Sequence, residues 1–238
     1  TFPDLAVANT NSNDVSVLMN NGDGTFRSAV SYAAGYYPIS VFCSDLDGDG
    51  NLDLIVANEG NSTVSILKNN GNGTFQSDVQ YAAGRNPFSV FCADLDGDGD
   101  PDLALADYYG DKVSILKNNG DGTFQNAVLY EAGFRPFSVF CADLDGDTDP
   151  DIVVANSGIP SGVSILENLT INYLRGDANG NGVVEIGDVV YLLNYLYRYG
   201  TAPNPLWRGD ANCDQAVEVG DIVYLINYLF KSGSPPGC

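Results

Sequence analysis

No histidine occurs among the chain's 238 residues. That absence excludes Ser–His–Asp chemistry, imidazole acid–base catalysis and the histidine corners of most zinc sites. Cations are scarce as well: ten Lys and Arg stand against 31 Asp and Glu, a formal net charge of −21. So acidic a surface repels phosphate backbones and excludes a nucleic-acid partner. No apolar run of about 18 residues is present, so no membrane span is expected. Nor does any phosphate-cradling glycine loop lead into a helix. With paired carboxylates confined to short acidic loops, the chain is not expected to be an enzyme.

What the sequence does have is repetition. FCSDLDGDGNLDLIVAN begins at Phe42, FCADLDGDGDPDLALAD at Phe91 and FCADLDGDTDPDIVVAN at Phe140, 49 residues apart each time. Between them VSILKNNGNGTFQSDVQYAAGRNPFSV recurs as VSILKNNGDGTFQNAVLYEAGFRPFSV. PDLAVAN at Pro3 aligns with the segment after Gly50, so the chain opens partway into a unit. That phase predicts a fragment or a processed form.

Each unit reads as four short strands. SVFCADL precedes the acidic loop, PDLALAD follows it, KVSILKN follows a polar turn, and FQNAVLY follows the Asn/Gly turn NNGDGTF. Four strands per unit of this length is the pattern of a β-propeller blade. The expected fold class is therefore mainly β, with about three and a half blades over residues 1–170. Rings usually need four to eight blades, so either blades are missing, or the open strand edges are expected to meet another chain or to be capped.

The acidic loops place carboxylates at alternate positions. The first offers Asp45, Asp47, Asp49 and Asp53 with the Asn51 carbonyl. The second offers Asp94, Asp96, Asp98 and Asp102 with the carbonyl of Asp100. The third offers Asp143, Asp145, Asp147 and Asp151 with the carbonyl of Asp149. Glycines such as Gly48 and Gly50 allow a tight wrap, and Thr148 replaces one of them in the third loop. Alternating hard oxygens suit Ca²⁺, which takes six to eight. Uncompensated repulsion in three registered copies argues for an ion. This pattern resembles the calcium loops of FG-GAP/VCBS repeats, as in the integrin α-subunit propeller and many bacterial surface proteins. The resemblance implies an extracellular or cell-surface, bacterial setting.

Beyond Asn168 the texture changes. GDANGNGVVEIGDVVYLLNYLYRYG begins at Gly176 and GDANCDQAVEVGDIVYLINYLFKSG at Gly209, 33 residues later. Each is an acidic loop running into an amphipathic helix. The first loop offers Asp177, Asn179, Asn181, the Val183 carbonyl and Asp188; the second offers Asp210, Asn212, Asp214, the Ala216 carbonyl and Asp221. Position twelve is Asp where the usual EF-hand has Glu. Glu185 and Glu218, at position nine, are placed to help through water. Gln215 stands where the turn normally has glycine, as Gly182 does in the first loop. The duplicated loop–helix resembles a type I dockerin, so residues 171–238 are expected to form a small α-helical domain with two EF-hand-like loops. By that resemblance the partner is a cohesin-like module. The usual Ser/Thr contact positions carry Ile186-Gly187 and Val219-Gly220 instead.

The loops hold 21 of the 31 acids, and five Ca²⁺ would take the net charge from −21 to about −11. Arg175-Gly176-Asp177 and Arg208-Gly209-Asp210 spell an integrin-ligand tripeptide, but each Asp opens a calcium loop. Three sequons, at Asn61, Asn72 and Asn168, fit chance in a chain this rich in Asn, Ser and Thr. Cys43, Cys92 and Cys141 share one blade position among apolar neighbours and are expected to be small core residues. A Cys213–Cys238 bond would pin the C-terminus in an oxidising compartment. Tyr36-Tyr37, Arg85-Asn86 and Phe134-Arg135 vary beside fixed prolines. They fit a sugar- or peptide-binding rim or, more simply, turn packing.

Three functions follow from these readings. The first is a calcium-dependent extracellular interaction protein whose tail docks on a partner. The second is a self-assembling structural subunit whose partners are copies of itself. The third is a glycan-binding, lectin-like propeller.

Overall fold

A computed structural model describes residues 2–146, 149–168, 176–179, 183–203, 209–231 and 233–236. The chain divides into two units, 1–168 and 169–238.

The first unit is four antiparallel sheets in sequence order. The first contains β1 (Leu5–Asn9), β2 (Asp14–Leu18) and β3 (Val30–Ala33). The second is β4 (Pro38–Ser44), β5 (Asp53–Asn58), β6 (Thr63–Leu67) and β7 (Val79–Ala82). The third is β8 (Pro87–Ala93), β9 (Asp102–Asp107), β10 (Lys112–Leu116) and β11 (Val128–Glu131), and the fourth β12 (Pro136–Ala142), β13 (Asp151–Asn156) and β14 (Gly162–Leu166). The sheets hold three, four, four and three strands, in keeping with about three and a half four-stranded blades. The last strand of each unit is shorter than its apolar pattern suggests. Phe124 forms only an isolated bridge to Asn118, and regular pairing begins at Val128.

The strands differ because their surroundings differ. β5 and β9 are buried at every residue, since apolar faces lie on both sides of their sheets. β11 is exposed throughout, at the outer edge. Successive sheets stack through side chains at matching repeat positions. Val15 and Val17 pack against Leu54, Val56 and Leu67. Val64 and Ile66 pack against Leu103, Leu105 and Leu116. Val113 and Ile115 pack against Ile152 and Val154.

A polar link sets the blade-to-blade step. Asn13, Ser62 and Asp111 hold left-handed turns, with φ of 57°, 57° and 56°. Their side chains accept the N–H of Tyr37, Asn86 and Arg135, at 3.0, 3.2 and 2.9 Å. The donors lie just before the prolines that start β4, β8 and β12.

The second unit holds α1 (Ile186–Arg198) and α2 (Val219–Lys231). Val189 and Leu192 of α1 bury against Ile222 and Leu225 of α2, with Ala178 and Ala211 from the loops. At the start of α1, Glu185 and Asp188 cap each other reciprocally. Cys213 is disulfide-bonded; its expected partner, Cys238, lies outside the described residues.

Candidate metal centre

Each blade loop runs from the inner strand, such as β4, to the buried strand beside it. The wrap brings carboxylates together in three places among the described residues. Ligand oxygens of Asp45, Asp47 and Asp53 lie within 4.8 Å of one another, as do those of Asp94, Asp96 and Asp102, and of Asp143, Asp145 and Asp151.

The last acid of each loop has a second duty that the sequence did not reveal. Asp53 accepts the N–H of Leu46 at 3.2 Å and of Asn69 at 2.8 Å. Asp102 does the same for Leu95 and Asn118, at 3.1 and 2.8 Å. Asp151 holds Leu144 and Asn168, at 3.0 and 2.8 Å. One buried carboxylate thus clasps the loop to the strand end beyond it. Burial pushes Asp102 up to about 7, and the charge of Asp96 adds to the rise. Burial likewise raises Asp53, with Asp47 and Asp49 adding.

The fifth loop position behaves differently. Asp49 accepts the N–H of Asn51 at 2.8 Å, and Asp98 that of Asp100 at 2.9 Å. The three-oxygen clusters form without them. Asn51, Asp100 and Asp149, the expected carbonyl donors, lie within the described residues, whereas Asp147 and Thr148 do not.

The clusters are incompletely satisfied. Oδ1 of Asp45, Asp47 and Asp96 is buried with no hydrogen-bond partner. A buried acceptor left so costs about 1–3 kcal/mol, more when ionised. A cation among these oxygens removes that cost, so the residues fit a metal. Two lysines offset part of the charge: Lys68 Nζ lies 2.9 Å from Asp47 Oδ2, and Lys117 Nζ 2.8 Å from Asp96 Oδ2. The third loop has Glu167 at the matching position.

The loops also bear on the neighbouring blade. Asn118 donates to the Leu46 carbonyl at 2.9 Å, and Asn168 to that of Leu95 at 2.8 Å. The first two acidic loops are therefore tied by their second residues to the following blade.

The helical unit repeats the clasp. Asp188 accepts N–H from Asn179 and Glu185, at 3.1 and 2.8 Å. Asp221 accepts from Asn212 and Glu218, at 3.2 and 2.8 Å. Both are buried, as are Asp177 and Asp210. Burial raises Asp188, with Asp177 adding its charge; burial raises Asp221, with Asp210 and Asp214 adding theirs. Asp214 accepts the Ala216 N–H at 3.0 Å. Val183 lies in the first loop ahead of α1, and Asn181 lies outside the described residues. Gln215 is held at φ 69°, and Cys213 at 65°. A left-handed non-glycine residue costs about 1–2 kcal/mol. Gln215→Gly is therefore expected to stabilise the helical unit by about 1 kcal/mol, read as a higher melting midpoint.

The variable rim residues are engaged in packing. Tyr36 lies on Gly60, where an added Cβ would sit 2.5 Å from the ring, and Phe134 lies on Gly158 in the same way. The Arg135 guanidinium sits 5.6 Å from the Tyr108 ring centre, and Arg85 6.0 Å from that of Tyr109.

A profile of the FG-GAP-like repeat matches residues 2–56, 45–105 and 94–154. No curated protein matches the chain. Solved structures with some similarity to the chain include a lectin of Agrocybe aegerita that recognises non-reducing terminal N-acetylglucosamine. It is 31% identical over 66% of this chain and 47% of its own, with a TM-score of 0.42. A protein of unknown function from Bacteroides caccae is 19% identical over 70% of this chain and 58% of its own, at 0.41. A V. cholerae biofilm matrix protein is 22% identical over 69% and 34%, at 0.38. The chain spans less than two thirds of the length of each. No helix among the described residues is long and apolar enough to cross a membrane.

Proposed function

Because the chain belongs to the FG-GAP-like repeat family, we propose that it is a non-enzymatic, calcium-loaded interaction protein of the cell exterior. Ca²⁺ sits in the three blade loops and the two helical-unit loops, and the helices dock on a partner protein module. The disulfide at Cys213 fits an oxidising exterior.

The observation that carries the docking role is a duplicated apolar stripe. Ile186, Val190, Leu193 and Tyr197 are exposed along α1. Val219, Val223, Ile226 and Phe230 are exposed at the matching positions of α2. The spacing places each set on one helix face, about 100° round the helix from the buried Val189–Leu192 and Ile222–Leu225 faces. Two near-equivalent stripes offer one partner surface twice, as the dockerin resemblance implies for a cohesin-like partner.

The test is titration of a cohesin module into the whole chain by calorimetry, in calcium and then in chelator. Binding is expected only in calcium. Leu193→Asp or Ile226→Asp alone should leave binding within about twofold, because the other stripe remains, and the double variant should abolish it. Full binding by the double variant would overturn the docking role.

The lysines supply a separate prediction for the loops. Lys68 and Lys117 place an ammonium on a loop carboxylate. Lys117→Met is therefore expected to tighten calcium binding at its loop about threefold, the scale of a half-exposed ion pair. Calcium titration of the variant checks it.

A further inference from the structure

Three blade-to-blade interfaces inside the chain share one design, and the two ends of the array expose its separate halves. One half is the face made by the third strand of a blade. Val15, Val17, Val64, Ile66, Val113 and Ile115 form it in the first three blades, and their exposure runs from 0 to 7%. In the fourth blade the matching residues, Val163 and Ile165, are 67% and 58% exposed. The other half comes from the second strand of the following blade. Leu54, Val56, Leu103, Leu105, Ile152 and Val154 form it, with exposure from 0 to 8%. Their counterparts in the first blade, Leu5 and Val7, are 45% and 44% exposed.

The β14 face is therefore the surface that elsewhere receives a β5-type face, and the β1 face is of that type. We propose that the β14 face of one copy of this chain packs against the β1 face of a second copy, reproducing between chains the interface that recurs within it. Repeat register determines the occupant. Val163 and Ile165 stand where Val64 and Ile66 meet Leu103 and Leu105, and Leu5 and Val7 are the Leu and Val of that same pattern. The contact is head-to-tail, so it closes into a ring or continues as a chain. It is separate from the helix stripes of the docking role. A net charge of −21 per copy opposes it, so salt and bound calcium both favour association.

Light scattering coupled to size exclusion, on the whole chain at 0.1–1 mM in calcium and about 0.15 M salt, tests the contact. Particles of at least two chains are expected. Val163→Asp with Ile165→Asp should return the mass to one chain, and so should Leu5→Asp with Val7→Asp. Mixing the two double variants should restore a pair and nothing larger, because one intact head then meets one intact tail. Should aspartate disorder either strand, the threonine versions keep β propensity and should weaken association at least tenfold. A single-chain mass for the unaltered protein at the highest concentration would overturn the proposal. So would association that persists in both double variants, which would place the contact elsewhere, on the helix stripes for example.

Discussion

Stripping calcium from the chain should lower the melting midpoint of the blade unit by about 15 °C. At a fiftyfold excess of ion over dissociation constant, RT ln(1 + [L]/Kd) gives about 2 kcal/mol per site. Three blade loops then contribute about 6–7 kcal/mol, and for a unit of this size 1 kcal/mol moves the midpoint by about 2–4 °C. The size of the effect follows from what the loops hold. Asp53, Asp102 and Asp151 each clasp two backbone N–H groups. The second residues of the first two loops are tied to the following blade through Asn118 and Asn168. Without an ion, repulsion inside the cluster works against the clasp and its tie together. Asp96→Asn should reproduce roughly a third of the loss. Scanning calorimetry in calcium and in chelator measures both, and a midpoint unmoved by chelator would remove the loops from the stability of the fold.

The second large effect is expected from Asp107→Asn. Asn9, Asn58 and Asn156 occupy this place in the other blades, where each amide donates to a serine hydroxyl: Ser16, Ser65 and Ser164, at 2.8, 2.9 and 2.8 Å. In the third blade a carboxylate replaces the amide. It accepts from the Ser114 hydroxyl, its Oδ1 has no partner, and the residue is fully buried beneath Gly84. Burial pushes its carboxyl from 3.8 up to about 7. Because the folded value is the higher one, the native state holds the proton that the unfolded chain releases between those values. Stability is unaffected by this group below pH about 4, falls as pH rises towards about 7, and stays reduced above that. The full span corresponds to about 4 kcal/mol at most, at 1.36 kcal/mol per unit. Asp107→Asn should therefore stabilise the chain by about 2–4 kcal/mol at pH 8 and by little at pH 4. Denaturant unfolding at the two values measures the difference, and equal effects at both would show that burial does not raise the Asp107 carboxyl above its unfolded value.

The repeat period made most of the blade unit legible. The strands follow from an apolar pattern that returns after 49 residues, or 50 at β14, and the prolines at 38, 87 and 136 mark where the inner strands begin. The loop carboxylates were legible for the same reason. Their division of labour was not, because Asp49 and Asp53 look alike in sequence. Only the wrap decides that one caps a local turn and the other is buried between two strands. Cys43 shows how environment overrides repeat position. Cys92 and Cys141 are buried as their neighbours imply, but Cys43 is exposed. It borders a hollow of about 480 Å³ that is lined also by Leu5, Val17 and Leu54, beside a first sheet with no strand matching β4. The exposure of Leu5, Val7, Val163 and Ile165 was hidden for the same reason. Their sequence is that of a core, and only the ends of the array leave them uncovered.

The central claim is that the acidic loops exist to hold calcium, and counting ions tests it most directly. Equilibrium dialysis at millimolar calcium should find about five ions on each chain. A variant carrying Asp45→Asn, Asp96→Asn and Asp145→Asn should retain about two, those of the helical unit. A chain that binds no calcium above the solvent background, or one whose count the triple variant leaves unchanged, would contradict the account.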